Sequence, residues 1–517
     1  MLHSRIFAQL VIPFGFAIVV SAPVTTQGAI YSAASPNVSD IQAKVNVARD
    51  GDRIVIPAGT ATWKTPLEVD KNITLRGAGA GATVIIDEVP ATLAAGFLLR
   101  ISLDRDLPFR MTGITFRGGI VNTRKKSNGV VRINGNCHSF RIDRCTFENL
   151  HGSSLAVTGF LWGVIDHNTF NCITTHPIFV KHTAWNGEDS GHGSWADNPY
   201  WGTEKFVFIE DNTFEGGGTL DAYEGARFVV RYNSLHNCDL GVHGTEGQGR
   251  GTKQLEEYNN IYVFDQHDSA GQIRSGSIIT HDNTWRNVGS GHVLQDYRYY
   301  NGQDTYWAIA NGQNVYDLNF RNGTVGYWAT GKHTGPDHSS SLVDTNSNKV
   351  WWDESGVKHT GAWPTNRWWV PGKAVIVRNM TQAASNPIAY QSWALSSEAD
   401  KIQYSQTHFE SKPPLKFNHG DTYQIWEVAR LLDQPGVGKG DLLTGIGLYG
   451  TSSMASPKVW PDQINEPCYS WNNTDENGQI DLKSAQGSIK EGRDFFNRTR
   501  KPGYTPYTYP HPLTLNN

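Results

Sequence analysis

The chain has 517 residues, with 53 Gly, 17 Trp, 20 Tyr and 21 Phe but only 4 Met, and carries a net charge of −4. A chain so rich in glycine and rings reads as short strands joined by many turns. Its faintly acidic balance excludes the basic surface of a nucleic-acid binder.

In chain order, residues 1–29 have the layout of a secretory signal. His3 and Arg5 precede an apolar run from Ile6 to Val20, broken by Pro13 and Gly15, and small residues follow at Ala22 and Ala29. A secreted protein, extracellular or periplasmic, without a membrane span is expected. Ser39 is then expected to cap a short helix with Ile41, Val45 and Ala48 on one face, followed by strands at Ile54-Val55-Ile56 and Ile73-Thr74-Leu75.

From about residue 140 a repeat sets in: a strand, one or two polar residues, then Asn-x-apolar. Val164-Ile165-Asp166-His167-Asn168-Thr169-Phe170 is one copy, and Val207-Phe208-Ile209-Glu210-Asp211-Asn212-Thr213-Phe214 is another. The turn residues Cys145, Asn168, Asn212, Asn233, Asn259 and Asn283 lie 23, 44, 21, 26 and 24 positions apart. A coil is therefore 21–26 residues, and the interval of 44 holds either two coils or one with an insertion. Coils of this length without a helix in each point to a β-helix. The fold expected is all-β: a right-handed, single-stranded parallel β-helix over 30–430 with an N-terminal helical cap. An irregular C-terminal segment, 431–517, packs on the solenoid, and a monomer is expected. The asparagines are read as stacked turn residues, not catalytic ones. Cys137, Cys145, Cys172, Cys238 and Cys468 are odd in number and lack metal-ligand spacing, so they are read as small core residues.

Thr183 to Lys205 reads as a loop. Its Trp185, Trp195 and Trp201 either stack on sugar rings or cover one another. Residues aligned by their offset from the turn asparagine form a row on one outer face: His176, Tyr223, His243, Arg274 and His292. Apolar residues at 220, 222, 240 and 242 point inward, leaving 223 and 243 outside. Arg227, Arg250 and Lys253 lie nearby in sequence, with the carboxylates Asp221, Glu224 and Glu246. Such a set suits β-elimination on an acidic, uronic-acid-containing polysaccharide. His243 is the candidate base and Tyr223 the candidate proton donor, with Arg250 and Arg274 neutralising the sugar carboxylate. Ca²⁺ held by Asp221, Glu224 or Glu246 is the alternative neutraliser. His176, Arg227, Lys253 and His292 are candidate substrate contacts.

The cap, the coil length and the Asn-x-apolar turns, over roughly 38–330, resemble the pectate-lyase-like superfamily. Val164-Ile165-Asp166-His167 is similar to a strand of those enzymes whose Asp binds Ca²⁺, which implies Asp166 as a calcium ligand. Their Arg-x-Pro-x-x-Arg segment is absent, as are the paired-Asp and Arg-x-Lys motifs of polygalacturonases; Gly191-His192-Gly193 stands without its partners. A polysaccharide lyase is the leading expectation. A glycoside hydrolase using Asp221 and Glu246, or a non-catalytic glycan-binding or adhesin solenoid, are the alternatives.

Overall fold

The computed structural model describes residues 28–90, 96–120, 129–171, 176–244, 250–295, 329–352, 357–363, 375–382, 391–392, 394–404, 415–427, 433–438, 465–484 and 489–515. Residues 1–27 of the signal-like segment 1–29, Cys172 and Glu246 lie outside them.

The chain winds as a parallel β-helix with three faces. One coil places Thr219–Tyr223 on the first face, Arg227–Arg231 on the second and Ser234–His236 on the third. The next repeats this with Asp239–Val242, Gln254–Tyr258 and Ile261–His267, each strand parallel to its predecessor. Strict alternation drives the winding: Leu220, Ala222, Leu240 and Val242 are all buried, and their neighbours face out. One apolar core runs from Ile41 of the cap to Phe495. Phe116, Phe147, Phe170 and Phe214 stack in it, one per coil, at ring separations of 5.6, 4.6 and 4.9 Å. The capping helix is Val38–Val47, with Asn37 and not Ser39 at its N-cap, and it buries Ile41 and Val45.

The turn asparagines form a ladder. The backbone N–H groups of Cys145, Asn168, Asn212 and Asn233 donate to the Oδ1 atoms of Asn168, Asn212, Asn233 and Asn260. Each rung is preceded by a left-handed residue, such as Asp211 at φ 56° or Tyr232 at φ 56°. The rung in the fifth coil is Asn260, not Asn259. Asn259 takes the left-handed position at φ 57°, and Ile261 is 51% exposed while Tyr262 is buried. The interval of 44 is a single coil with an insertion, since Val164 pairs directly with Phe208.

The solenoid does not run unbroken to 430. Strands from Ala329 to Glu427 pair antiparallel in two separate sheets with a core of their own around Leu342, Val377 and Ile425. Nor is 431–517 irregular throughout. Cys468–Trp471 adds to the second face beside Ser277–His281, and Asn473 continues the ladder from Asn283. Only the last stretch is a strap. It lies along the second face, with the Tyr504 hydroxyl donating to Glu256 at 2.6 Å and Arg231 donating to the carbonyls of Tyr507 and Thr508.

Candidate functional site

On the first face two outward rows run parallel to the helix axis. Register places Arg100, Arg132, Ala156, Phe179, Asp221, Gly241 and Gln272 in one. The other holds Ser102, Asn134, Thr158, Lys181 and Tyr223. Because Ala222, Val242 and Ile273 are paired in turn, His243 and Arg274, each next in its chain, extend this second row. From Arg100 to Arg274 is six coil steps, about 29 Å at the usual strand spacing.

The centre of the face is a compact polar cluster. Asp221, 4% exposed, places Oδ2 2.8 Å from His243 Nε2 and 3.7 Å from His176 Nε2. Its Oδ1 accepts from the Ala222 N–H. A carboxylate on Nε2 fixes the orientation of the imidazole and turns Nδ1 away from it. The Tyr223 ring packs edge-on to His243 at 5.7 Å between centroids. Lys181 Nζ lies 5.0 Å from the Tyr223 ring centre and 3.2 Å from Glu224. Arg274 donates to Gln272 at 2.9 Å.

His243 sits at the base of a closed loop. Its carbonyl accepts from the Thr252 N–H at 3.0 Å and from the Ser275 hydroxyl at 2.7 Å. Behind it, Arg250 is fully buried and forms a two-pronged ion pair with Asp433, whose Oδ2 also accepts from the Gly251 N–H. Fixing both ends of the loop positions the imidazole over the groove.

Tyr223, His243, Arg274, Asp221, Glu224 and His176 thus come together on one open face. His176, however, is outside the rung expected for it: Lys181 stands in register with Tyr223, and His176 reaches Asp221 through its side chain. Several other expected site residues are inside the protein. Arg250 is held by Asp433 as described. Arg227 donates to Ser194, Asn198 and Gln254 and lies 4.4 Å from the Trp185 ring centre. Lys253 is spent on the carbonyls of Ser194, Trp195 and Asp197. His292, 1% exposed, holds the buried Glu257 at 2.7 Å. Offset counting failed here because the loops between faces differ in length; Leu294 pairs with Ile273, so Gln295 and not His292 stands after Arg274.

The loop over 183–205 covers its own rings. Trp185 and Trp195 are buried, with indole N–H groups on Asp197 and the Gly251 carbonyl. Trp201 is half-buried and donates to Glu466. Asp166 does not fit a calcium ligand. Both its oxygens accept from the Arg141 guanidinium at 2.9 and 2.8 Å, and His167 adds a third contact. Among the described residues no group of three His, Cys, Asp or Glu side chains gathers to hold a metal ion.

Lys181, Gln272, Arg100, Arg132 and Asn134 escaped the sequence reading. The signal for three of them was present as period-two alternation in Leu99-Arg100-Ile101-Ser102-Leu103 and Val131-Arg132-Ile133-Asn134. Those strands precede the first turn asparagine, so the alignment by asparagine never reached them.

No characterised family and no curated protein matches the sequence. Among solved structures, an alginate lyase from a Paenibacillus species is similar over 51% of this chain and 97% of its own, at 15% identity and a TM-score of 0.32. A likeness at that level does not carry an activity across. Parallel coils are compatible with the pectate-lyase-like resemblance. No helix among the described residues is long and apolar enough to cross a membrane.

Proposed function

We propose that the protein is a secreted polysaccharide lyase that cleaves a uronic-acid-containing polymer by β-elimination in the first-face groove. The observation that supports this most is the Asp221–His243 pair, set beside Tyr223 between the cations Lys181 and Arg274 on an open face.

In the proposed reaction the sugar carboxylate lies against Arg274, one coil from His243, while Lys181 faces the neighbouring sugar. The Arg274 charge stabilises the negative charge that builds on the carboxylate as the adjacent C5–H is lost. His243, oriented by Asp221, takes that proton. The electron pair left on C5 forms the C4=C5 double bond, the C4–O bond to the next sugar breaks, and the Tyr223 hydroxyl gives its proton to the departing oxygen. His243 then returns a proton to Tyr223 through solvent, which closes the cycle.

A hydrolase would need two carboxylates across the groove. Of the pair expected from sequence only Asp221 is described, and it is engaged by His243. Incubation with alginate, polygalacturonate and other uronate polymers, with and without calcium or EDTA, tests the reading. Appearance of the ultraviolet-absorbing unsaturated uronate is the expected result, and the EDTA arm decides the calcium question. New reducing ends without that chromophore would overturn it in favour of a hydrolase. Neither signal would leave a binding solenoid.

A further inference from the structure

We infer that the N-terminal coils carry a separate subsite for an acidic sugar, built by Arg100 and Arg132 with Phe160, that grips the polymer remote from the bond being cleaved. This rests on the reading of the first face as a polysaccharide groove.

The groove does not end at Lys181. It deepens toward the cap into a polar cleft of about 650 Å3 lined by Arg100, Arg132, Asn134, Thr158, Phe160 and Thr183, among others. Gly135 and Gly159, paired in register and at φ 118° and 112°, also line it. A Cβ on Gly159 would lie 2.4 Å from the Gly135 carbonyl oxygen, so no larger residue fits. The two coils therefore pack backbone to backbone at this end of the cleft.

Arg100 and Arg132 occupy successive rungs of one row. Both stand near the Phe97 ring, at 4.9 and 6.0 Å. Glu68 pairs with Arg100 at 2.6 Å, and Asp104 lies at the cleft's edge. Burial, with the Arg100 charge one coil away, holds Arg132 below the usual arginine range. Two guanidiniums on successive rungs of one cleft are an arrangement that an incoming carboxylate stabilises, because it adds charge-assisted hydrogen bonds and lowers the repulsion between them. Beside them Thr158, Phe160 and Trp162 alternate outward along Leu155–Asp166. Trp162 is stacked on His138 at 3.5 Å, and Phe160 packs edge-on to Trp162 at 5.3 Å. Of these rings Phe160 lines the same cleft as the two arginines and offers an apolar contact there. A uronate presents the matching combination, a C–H face and a carboxylate.

Arg132 lies four coils from His243, about 19 Å at the usual strand spacing. Only a chain of several sugars reaches both. The subsite thus selects for length and for acidic character along the polymer, while the chemistry stays at His243.

The test uses size-graded oligosaccharides prepared from alginate and polygalacturonate, with dextran as the neutral control. Binding is measured by calorimetry and affinity electrophoresis on wild type and on Arg132→Gln. Arg100→Gln, at a more exposed position, is the second variant if the first fails to fold. Either variant is expected to weaken binding of long acidic oligosaccharides by about tenfold, as for a lost charge-assisted hydrogen bond. Binding of the shortest ones should not change, and dextran should not bind. Equal weakening at every length, or none at any length, would overturn the subsite, as would wild type failing to bind any acidic chain. If length-dependent binding holds and falls in the variants while no unsaturated product ever forms, the subsite stands and the lyase reading fails. If product forms with unaltered length dependence in the variants, the lyase stands and the subsite fails.

Discussion

The first and second faces of the solenoid both carry rows of charged side chains pointing outward, yet they do opposite things. On the second face register aligns Asp143, Asp166, Glu210, Arg231, Tyr258 and His281. Arg231 and Glu210 meet at 2.7 Å, both fully buried, and the C-terminal strap closes over them. On the first face the strap is absent, and Lys181, Tyr223, His243 and Arg274 remain partly exposed. A charged row on a β-helix is therefore not in itself a site; what lies over it decides. Covered, such a row is a set of buried ion pairs that glue the tail down. Open, it is a groove lined with cations, an Asp–His pair and a tyrosine.

Substitutions on the two faces should separate cleanly. The largest effect belongs to the open face: His243→Ala is expected to lower the elimination rate by about a hundred- to ten-thousand-fold, with thermal unfolding close to wild type. An active His243→Ala enzyme would remove the central assignment. On the covered face, Arg231→Met leaves Glu210 buried without its partner and should cost about 3–5 kcal/mol of stability, read as a lowered denaturation midpoint, while KM for the polymer stays put. Loss of KM with stability intact would mean the second face also meets substrate.

The faces should also respond to opposite changes of pH. Burial pushes the Glu256 carboxyl under the strap up from 4.5 to about 7. The folded chain then binds more protons than the unfolded chain between those values, so stability is lost as pH rises through that window, by about 3 kcal/mol. Glu256→Gln should flatten this slope. On the groove side, burial holds His182 down at about 3 against its ordinary 6.5. Its Nδ1 accepts from the Arg227 N–H, and its Nε2 donates to the Leu161 carbonyl. The unfolded chain binds more protons here, so this contribution is present above 6.5 and lost as pH falls toward 3. Melting curves of wild type and Glu256→Gln across pH 4.5 to 7 check the first sign. Limited proteolysis of the 183–205 loop in mild acid checks the second. The smallest effect is Tyr504→Phe, which removes one buried hydrogen bond to Glu256 and should cost about 1–2 kcal/mol.

Much of the fold was legible because period-two alternation and the turn asparagine are local signals. Tyr223, His243 and Arg274 were found by applying both at once. What escaped depends on coverage and on loop length, which local patterns do not encode. Arg227, Arg250 and Lys253 have the composition of an active site, yet their partners are Gln254, Asp433 and the carbonyls of an inserted loop. Trp471-Asn472-Asn473-Thr474 copies the turn of the repeat, but Asp475 stands where the apolar residue would be, and the turn lies 190 residues beyond Asn283, too far for a period to be noticed.

That gap bears on how the chain can change over time. Asn283 offers its backbone N–H and side-chain amide to the next rung, whatever chain has been threaded between. The docking chemistry is the same as between coils 21 or 23 residues apart. An insertion at this point alters the loop to be closed, whose entropic cost grows only slowly with length, and leaves the edge it returns to unaltered. The end of the ladder is thus a tolerant splice point, where whole sheets can be gained, exchanged or lost while the groove keeps its register. The cost falls on kinetics: the closing coil makes contacts 190 residues apart, and it should form after the contiguous coils.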